Sequence, residues 1–425
     1  MNKFLLYIFF LIFLSNCNLA KNEIVEKKNE NKDIFKKIEP IKNELNPGLV
    51  INFSESTLED VFLNNNTNNS GNINFQPSFE KKHLFKFKKI KKYRYNQPEL
   101  MFTNDKNIIF FDGKGSVFKI NENLKKIWMI NNYNKKEKKL NPILYFAQDG
   151  KNLIVNDNLS KLYSINLSNG DVNWSKYSQS SFNSNIKIIN DRFITIDFEN
   201  VIRCFSIKDG KELWNFKSEN SFIKSQKKLS LILKNNIVYF INNLGDVTAL
   251  DSNNGSLFWQ TPTQSNVIYQ DAFSLENSDL VFANDTIYFS NNKNEFFSID
   301  SKSGIIKWKQ NINSNLRPTI IENFILTISQ EGLLFVIEQS TGNVLRISNL
   351  LINIKNKNNE VKPVGFIVAR NKIYLSLSNG KLIKFDLKKG IQENIIKLGG
   401  SKISRPYVFN ESMYLVKDNA IIKTN

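Results

Sequence analysis

Five tryptophans, Trp128, Trp174, Trp214, Trp259 and Trp308, recur along the middle of the chain at intervals of 46, 40, 45 and 49 residues. A period of that size marks a repeat architecture, in which each unit is a small supersecondary piece that cannot bury its apolar face alone. The clearest unit runs from Ile237 to Ile241, through a turn ending at Gly245, along Asp246 to Asp251, through a second turn at Gly255, and on to Trp259. Its apolar stretches are short, β-branched and aromatic, so they predict strands.

The same order of strand, turn, strand, Gly-bearing turn and Trp recurs. Gly170 precedes Trp174, Gly210 precedes Trp214, and Asp300 and Gly304 precede Trp308. Phe324 to Arg346 and Ile373 to Asn394 keep Gly342 and Gly390 but lose the Trp, with Arg346 standing where it would be. Ile108 to Trp128 is a degenerate copy without the Gly, and Met413 to Lys423 is a truncated one. A short strand precedes each unit, opened in four of them by Pro142, Pro318, Pro363 or Pro406. Proline suits a first strand residue, where no ladder donor is needed.

Each repeat therefore holds about four strands in about 43 residues, the size of a propeller blade. Residues 83–425 divide into eight such units, which predicts an all-β, eight-bladed β-propeller of four-stranded blades. The last copy is one strand short. Leu84 to Ile90, where Phe85 and Phe87 alternate with Lys86 and Lys88, is placed to supply it. Pairing the N- and C-terminal strands closes the ring and protects the last sheet edge. Within each unit an acid such as Asp251 or Asp300 accepts hydrogen bonds from turn amides, the Gly supplies a positive φ, and the Trp wedges between neighbouring sheets.

The chain ahead of the repeats reads as export and spacing. Lys3 and the apolar run Phe4 to Leu14 have the length of a signal peptide and are too short to span a bilayer. The run ends in Leu14-Ser15-Asn16-Cys17, which resembles the lipobox of bacterial lipoproteins. That resemblance implies a signal over 1–17, a lipid on Cys17 and, with Asn18 following, an outer-membrane address. Residues 18–82 are rich in Asn, Lys, Glu and Ser, with nine Lys against ten acids, and read as a polar, largely disordered tether.

Composition excludes much chemistry. One His, His83, and two Cys, Cys17 and Cys204, leave no His-rich or four-Cys metal site and no disulfide scaffold. No Gly-rich phosphate loop and no H-E-x-x-H is present. No catalytic residue, metal or cofactor is expected. The net charge is +18, and residues 83–140 hold fifteen Lys and Arg against five acids. The cluster Lys86, Lys88, Lys89, Lys91, Lys92 and Arg94 suits an anionic membrane surface or an acidic partner, or simply guards an exposed edge strand. Export argues against nucleic acid.

Ala249-x-Asp251-x-x-x-Gly255-x-x-x-Trp259 resembles the tryptophan-docking motif of the pyrroloquinoline-quinone (PQQ) repeat. An exported lipoprotein made of one such propeller is similar to the BamB family of outer-membrane assembly lipoproteins. The resemblance implies a non-catalytic scaffold at the outer membrane, facing the periplasm. It would bind a BamA-like insertase and other assembly-machinery components, and unfolded outer-membrane proteins. It also implies contacts on two successive inter-blade segments. Here the first carries Phe222, Ile223, Lys224, Lys227 and Lys228, and the second Asp271, Glu276 and Asp279. Read without the resemblance, these are solvated loop charges. Two other readings stand beside this one: a generic periplasmic binding propeller, and a PQQ-dependent quinoprotein enzyme. The enzyme reading lacks the adjacent cysteines that such enzymes carry.

Overall fold

The computed structural model describes residues 41, 43–54, 62–63, 65–91, 98–218, 227–264, 275–354 and 361–425. These form eight antiparallel blades in a ring. Blades 1 to 7 span 101–130, 144–177, 187–217, 231–261, 281–310, 319–349 and 363–397, each with its strands in chain order from the channel outward. Blade 8 comprises Tyr407–Phe409, Ser412–Lys417 and Ala420–Thr424, and its outermost strand is Lys82–Lys86. Lys82 faces Thr424 and Lys86 faces Ala420 in an antiparallel ladder, so the two ends of the ring are stitched as the alternation of Phe85 and its lysines predicts.

The strands form because their middle positions are fully buried on both faces. The second and third strands of each blade, such as Ile237–Ile241 and Val247–Asp251, are almost wholly buried, while the outermost, such as Leu257–Thr261, is half-exposed. Core clusters fill the seams between adjacent blades. Ile232, Tyr239 and Ala249 of blade 4, for example, pack with Leu280, Ile287 and Phe289 of blade 5.

Six of the eight seams are locked by a side chain from the outer strand of one blade lying on the Gly turn of the next. Trp214 lies over Gly255, and its indole N–H donates to Ser252 O at 3.2 Å. Trp128, Trp174, Trp259 and Trp308 repeat this on Gly170, Gly210, Gly304 and Gly342, donating to Leu167, Ile207, Ser301 and Gln339 O at 2.8–3.1 Å. The turn beneath is braced from within: Gly255 N donates to Asp251 O at 2.8 Å, and Asp251 Oδ1 accepts from Asn253 N at 2.7 Å. Asp300 accepts in the same way from Ser303 N at 2.9 Å.

Blade 6 uses Arg346 in the indole's place. The side chain is fully buried, lies over Gly390, and donates from Nη1 to Leu387 O at 2.7 Å. The two imperfect repeats follow from closure. The outer strand of blade 8, Lys82–Lys86, is not joined to Ala420–Thr424 by a hairpin, so blade 8 presents no Gly turn there for blade 7 to dock on, and blade 7 carries Asn394 at the indole's place. Blade 8 takes its outer strand from Lys82–Lys86, which brings no indole, so the corresponding turn of blade 1 needs no Gly.

The described part of the polar stretch 18–82 is packed. Leu45 bridges Ile347 on the outer edge of blade 6, and Ile51 and Phe53 are buried in the seam between blades 6 and 7. Residues 65–73 then cross the central channel. Asn66 O and Thr67 O accept from Leu233 N and Phe282 N at 2.9 and 3.0 Å. The Asn68 and Asn69 amides donate to Leu280 O and Ile320 O at 2.9 and 3.0 Å, and Asn72–Ile73 pair in parallel with Val368 and Ala369. Asparagine can satisfy exposed inner-strand donors and acceptors at once, a use that composition alone reads as a linker.

Candidate functional site

The first strands of the blades line a channel, and the end at which they begin opens into a cavity of about 1520 Å³. Residues 65–68 of the N-terminal segment lie along its wall. The residues just ahead of each inner strand are aimed into this mouth by a repeated hydrogen-bond device. Ser184, Ser278 and Ser404 each accept, at 2.7–2.9 Å, from the second-strand amide of Ile196, Ser290 or Val416. Each serine hydroxyl also donates to the carbonyl of the residue that follows it, Asn185, Asp279 or Arg405, at 2.7–3.2 Å. All three of those following residues line the cavity.

The mouth is charged and only partly self-neutralised. Among the described residues, nine basic side chains line it against five acidic ones. Arg317 pairs with Asp279, with Nε at 2.8 Å from Oδ2, and reaches Glu99 at 3.6 Å. Lys228 meets Glu99 at 2.5 Å. Lys227 donates to Asn315 O at 2.8 Å, and Asn315 donates to Glu276. Burial alone would raise the Asp279 carboxyl, but the Arg317 and Lys228 charges outweigh it and hold the group well below the usual carboxylate range. Burial pushes the Lys187 ammonium down to about 7 and Lys227 down to about 8. Lys187 donates to Asn68 Oδ1 at 2.9 Å and to Asn65 O, tying the N-terminal segment to blade 3.

The structure brings four of the expected partner residues, Lys227, Lys228, Glu276 and Asp279, to this one mouth from two successive inter-blade segments. They face the channel and engage neighbours within the protein. Phe222, Ile223, Lys224, Asp271 and the lipidation residue Cys17 lie outside the described residues. Of the basic cluster, Lys86, Lys88, Lys89 and Lys91 are exposed on the closing strand and its continuation, and Lys89 pairs with Asp418 at 3.0 Å. Lys92 and Arg94 lie outside the described residues.

Sequence reasoning missed Glu99, Lys187, Arg317 and Arg405. A signal existed for two of them. Pro318 and Pro406 were legible as strand openers, and the residue before each is the arginine that enters the mouth. Cys204 is buried in the seam between blades 3 and 4, and burial pushes its thiol up to about 12, a packing role. Among the described residues no group of three or more His, Cys, Asp or Glu is placed to hold a metal ion. His83 is exposed on the closing strand.

These features define a class: a tryptophan-docked, eight-bladed β-propeller that presents a charged channel mouth. A family profile described as "Outer membrane protein assembly factor BamB" matches residues 113–348, more than half of the chain. The chain belongs to that family. No curated protein matches its sequence. Among solved structures, BamB from Moraxella catarrhalis is similar at 15% identity with a TM-score of 0.61, covering 81% of this chain and 100% of its own. The computationally designed Ika8 protein is similar at 11% identity and TM-score 0.60, covering 80% and 99%. So is the C-terminal WD40 domain of Sif2, at 11% and 0.60, covering 84% and 99%. At these identities the likeness is one of fold.

Proposed function

We propose that this chain is a scaffold lipoprotein of the outer-membrane β-barrel assembly machinery. In this reading residues 1–17 are its signal, Cys17 carries the lipid, and the propeller faces the periplasm. It binds the periplasmic domains of a BamA-like insertase and assists folding and insertion of outer-membrane proteins. The observation that carries the reading is the family match over 113–348, whose description names an outer-membrane assembly factor. The gathering of Lys227, Lys228, Glu276 and Asp279 at one mouth supports it, because a partner touching that rim meets both inter-blade segments together.

A second reading, a periplasmic propeller that binds another partner, draws support from the fold relatives. A designed protein and a WD40 domain share the architecture nearly as well as the BamB structure does, so shape does not choose the partner. Affinity capture of the full-length, lipidated protein from envelope membranes separates the two. Recovery of a β-barrel insertase with its periplasmic repeats, weakened when Lys228 and Asp279 are exchanged for Ala together, is the result expected of the first reading. Capture of other envelope proteins without the insertase favours the second. A mature N-terminus other than a lipid-bearing Cys17 removes the anchor from both.

A further inference from the structure

The N-terminal segment shows that this channel accepts a polypeptide against its inner strands. Residues 66–73 satisfy the inner strands of blades 4 to 7. The inner strand of blade 2, Leu144–Gln148, faces open cavity instead. There Gln148 is 5% exposed, and its Nε2 donor has no partner among the described residues.

The charge pattern points the same way. Arg317 and Lys228 are answered by Asp279 and Glu99. Arg405 lines the same cavity near the Asp279 and Glu99 charges, but among the described residues it makes no ion pair, and its buried Nε and Nη1 have no hydrogen-bond partner. The guanidinium is held over the rings of Phe62 and Tyr407, at 5.8 and 5.9 Å from their centroids. A Cβ on Gly365 would lie 2.5 Å from Arg405 Cβ, so the side chain is also fixed at its root. An unpartnered donor pair along one edge of a held guanidinium matches the two parallel hydrogen bonds that a carboxylate makes. Lys187 lies in the same cavity, its amine bonded among the described residues to the neutral oxygens of Asn65 and Asn68.

We propose that the channel mouth binds an extended acidic peptide, one carboxylate of which is received by Nε and Nη1 of Arg405 while its backbone runs along the open side of the channel at blade 2. A peptide fits better than a small anion, because the cavity of about 1520 Å³ exceeds the roughly 300–1,000 Å³ of small-ligand pockets. The protein's own residues 66–73 already lie along the inner strands of blades 4 to 7.

The test uses the purified full-length protein and fluorescence anisotropy with a dye-labelled ten-residue peptide of alternating Glu and Ser. The Glu peptide is expected to bind, and its Gln counterpart to bind about tenfold more weakly or worse. Arg405→Gln is expected to lose about tenfold or more, and Arg405→Lys, which keeps the charge without the fork, to lose less. Lys208→Gln, on an exposed turn outside the cavity, is expected to leave affinity unchanged, which separates the site from general attraction to a basic protein. Thermal melting confirms that each variant is folded. Equal binding of Glu and Gln peptides, or full binding by both Arg405 variants, overturns the proposal. Binding of inorganic phosphate at Arg405 with no peptide binding overturns it in favour of a small-anion site. The outcome does not depend on whether an insertase is recovered, so the two proposals fail separately.

Discussion

An indole that lies flat on a neighbouring blade needs a residue beneath it with no side chain. Gly255 meets that need: a Cβ there would lie 2.6 Å from Trp214 Cε3, and its φ of +75° disfavours any L side chain. Gly150 isolates the second effect, since its φ is +91° but nothing lies within 4 Å of a Cβ. Gly150→Ala should therefore cost about 1 kcal/mol in denaturant unfolding, from backbone strain alone. Gly255→Ala should cost roughly 3 kcal/mol or more, because strain and a displaced indole add. Equal losses at the two sites would show that docking contributes nothing. The period of these residues was legible in the sequence, but their partnership was not. Reading along the chain joins Gly255 to Trp259, four residues on, whereas the contact is with Trp214 of the preceding blade. Arg346 shows why the chemistry is partly interchangeable: its Nη1 keeps the bond that an indole N–H makes elsewhere.

Closure of the ring rests on one short strand whose two faces differ. On Lys82–Lys86, Phe85 turns inward against Phe110 and Phe118, with ring centroids at 5.5 and 6.0 Å, while Leu84 turns outward and is 51% exposed. Phe85→Ala should destabilise the protein by about 2–3 kcal/mol, somewhat less than for a fully buried phenylalanine, and Leu84→Ala by no more than about 0.5 kcal/mol. The reverse order in chemical denaturation would mean that the strand pairs in the other register. This strand was readable because alternation of Phe with Lys is a period-two signal. The segment at 65–73 gave no such signal. It joins the inner strands through asparagine amides and main-chain carbonyls, groups that carry no hydrophobic period, so the interaction exists only once the channel does.

Across the whole molecule, the uneven charge of +18 is resolved locally. Acids answer bases where the ring allows it, as Asp279 answers Arg317 and Asp105 answers the buried Lys119 at 2.8 Å. Lys187 is left inside the channel with cations of the mouth nearby, and the consequence is a dependence of stability on pH. Its burial and the Arg317 and Lys228 charges lower its affinity for a proton, Glu99 and Asp279 raise it, and the balance is a pKa of about 7 against 10.5 in the unfolded chain. Between those values the unfolded chain binds the proton that the folded protein does not, so stability rises with pH across the window and levels off below about 7. The rise attributable to this group is at most about 1.4 kcal/mol per pH unit. Lys187→Met removes the titrating group while keeping much of its bulk. The difference in unfolding free energy between the natural protein and this variant should therefore move in favour of the natural protein as pH is raised from 7 to 9.5. Parallel curves would mean that Lys187 keeps its proton inside the folded ring. In that case the mouth carries one more positive charge at neutral pH, and the attraction for an acidic chain persists rather than fades toward alkaline solution.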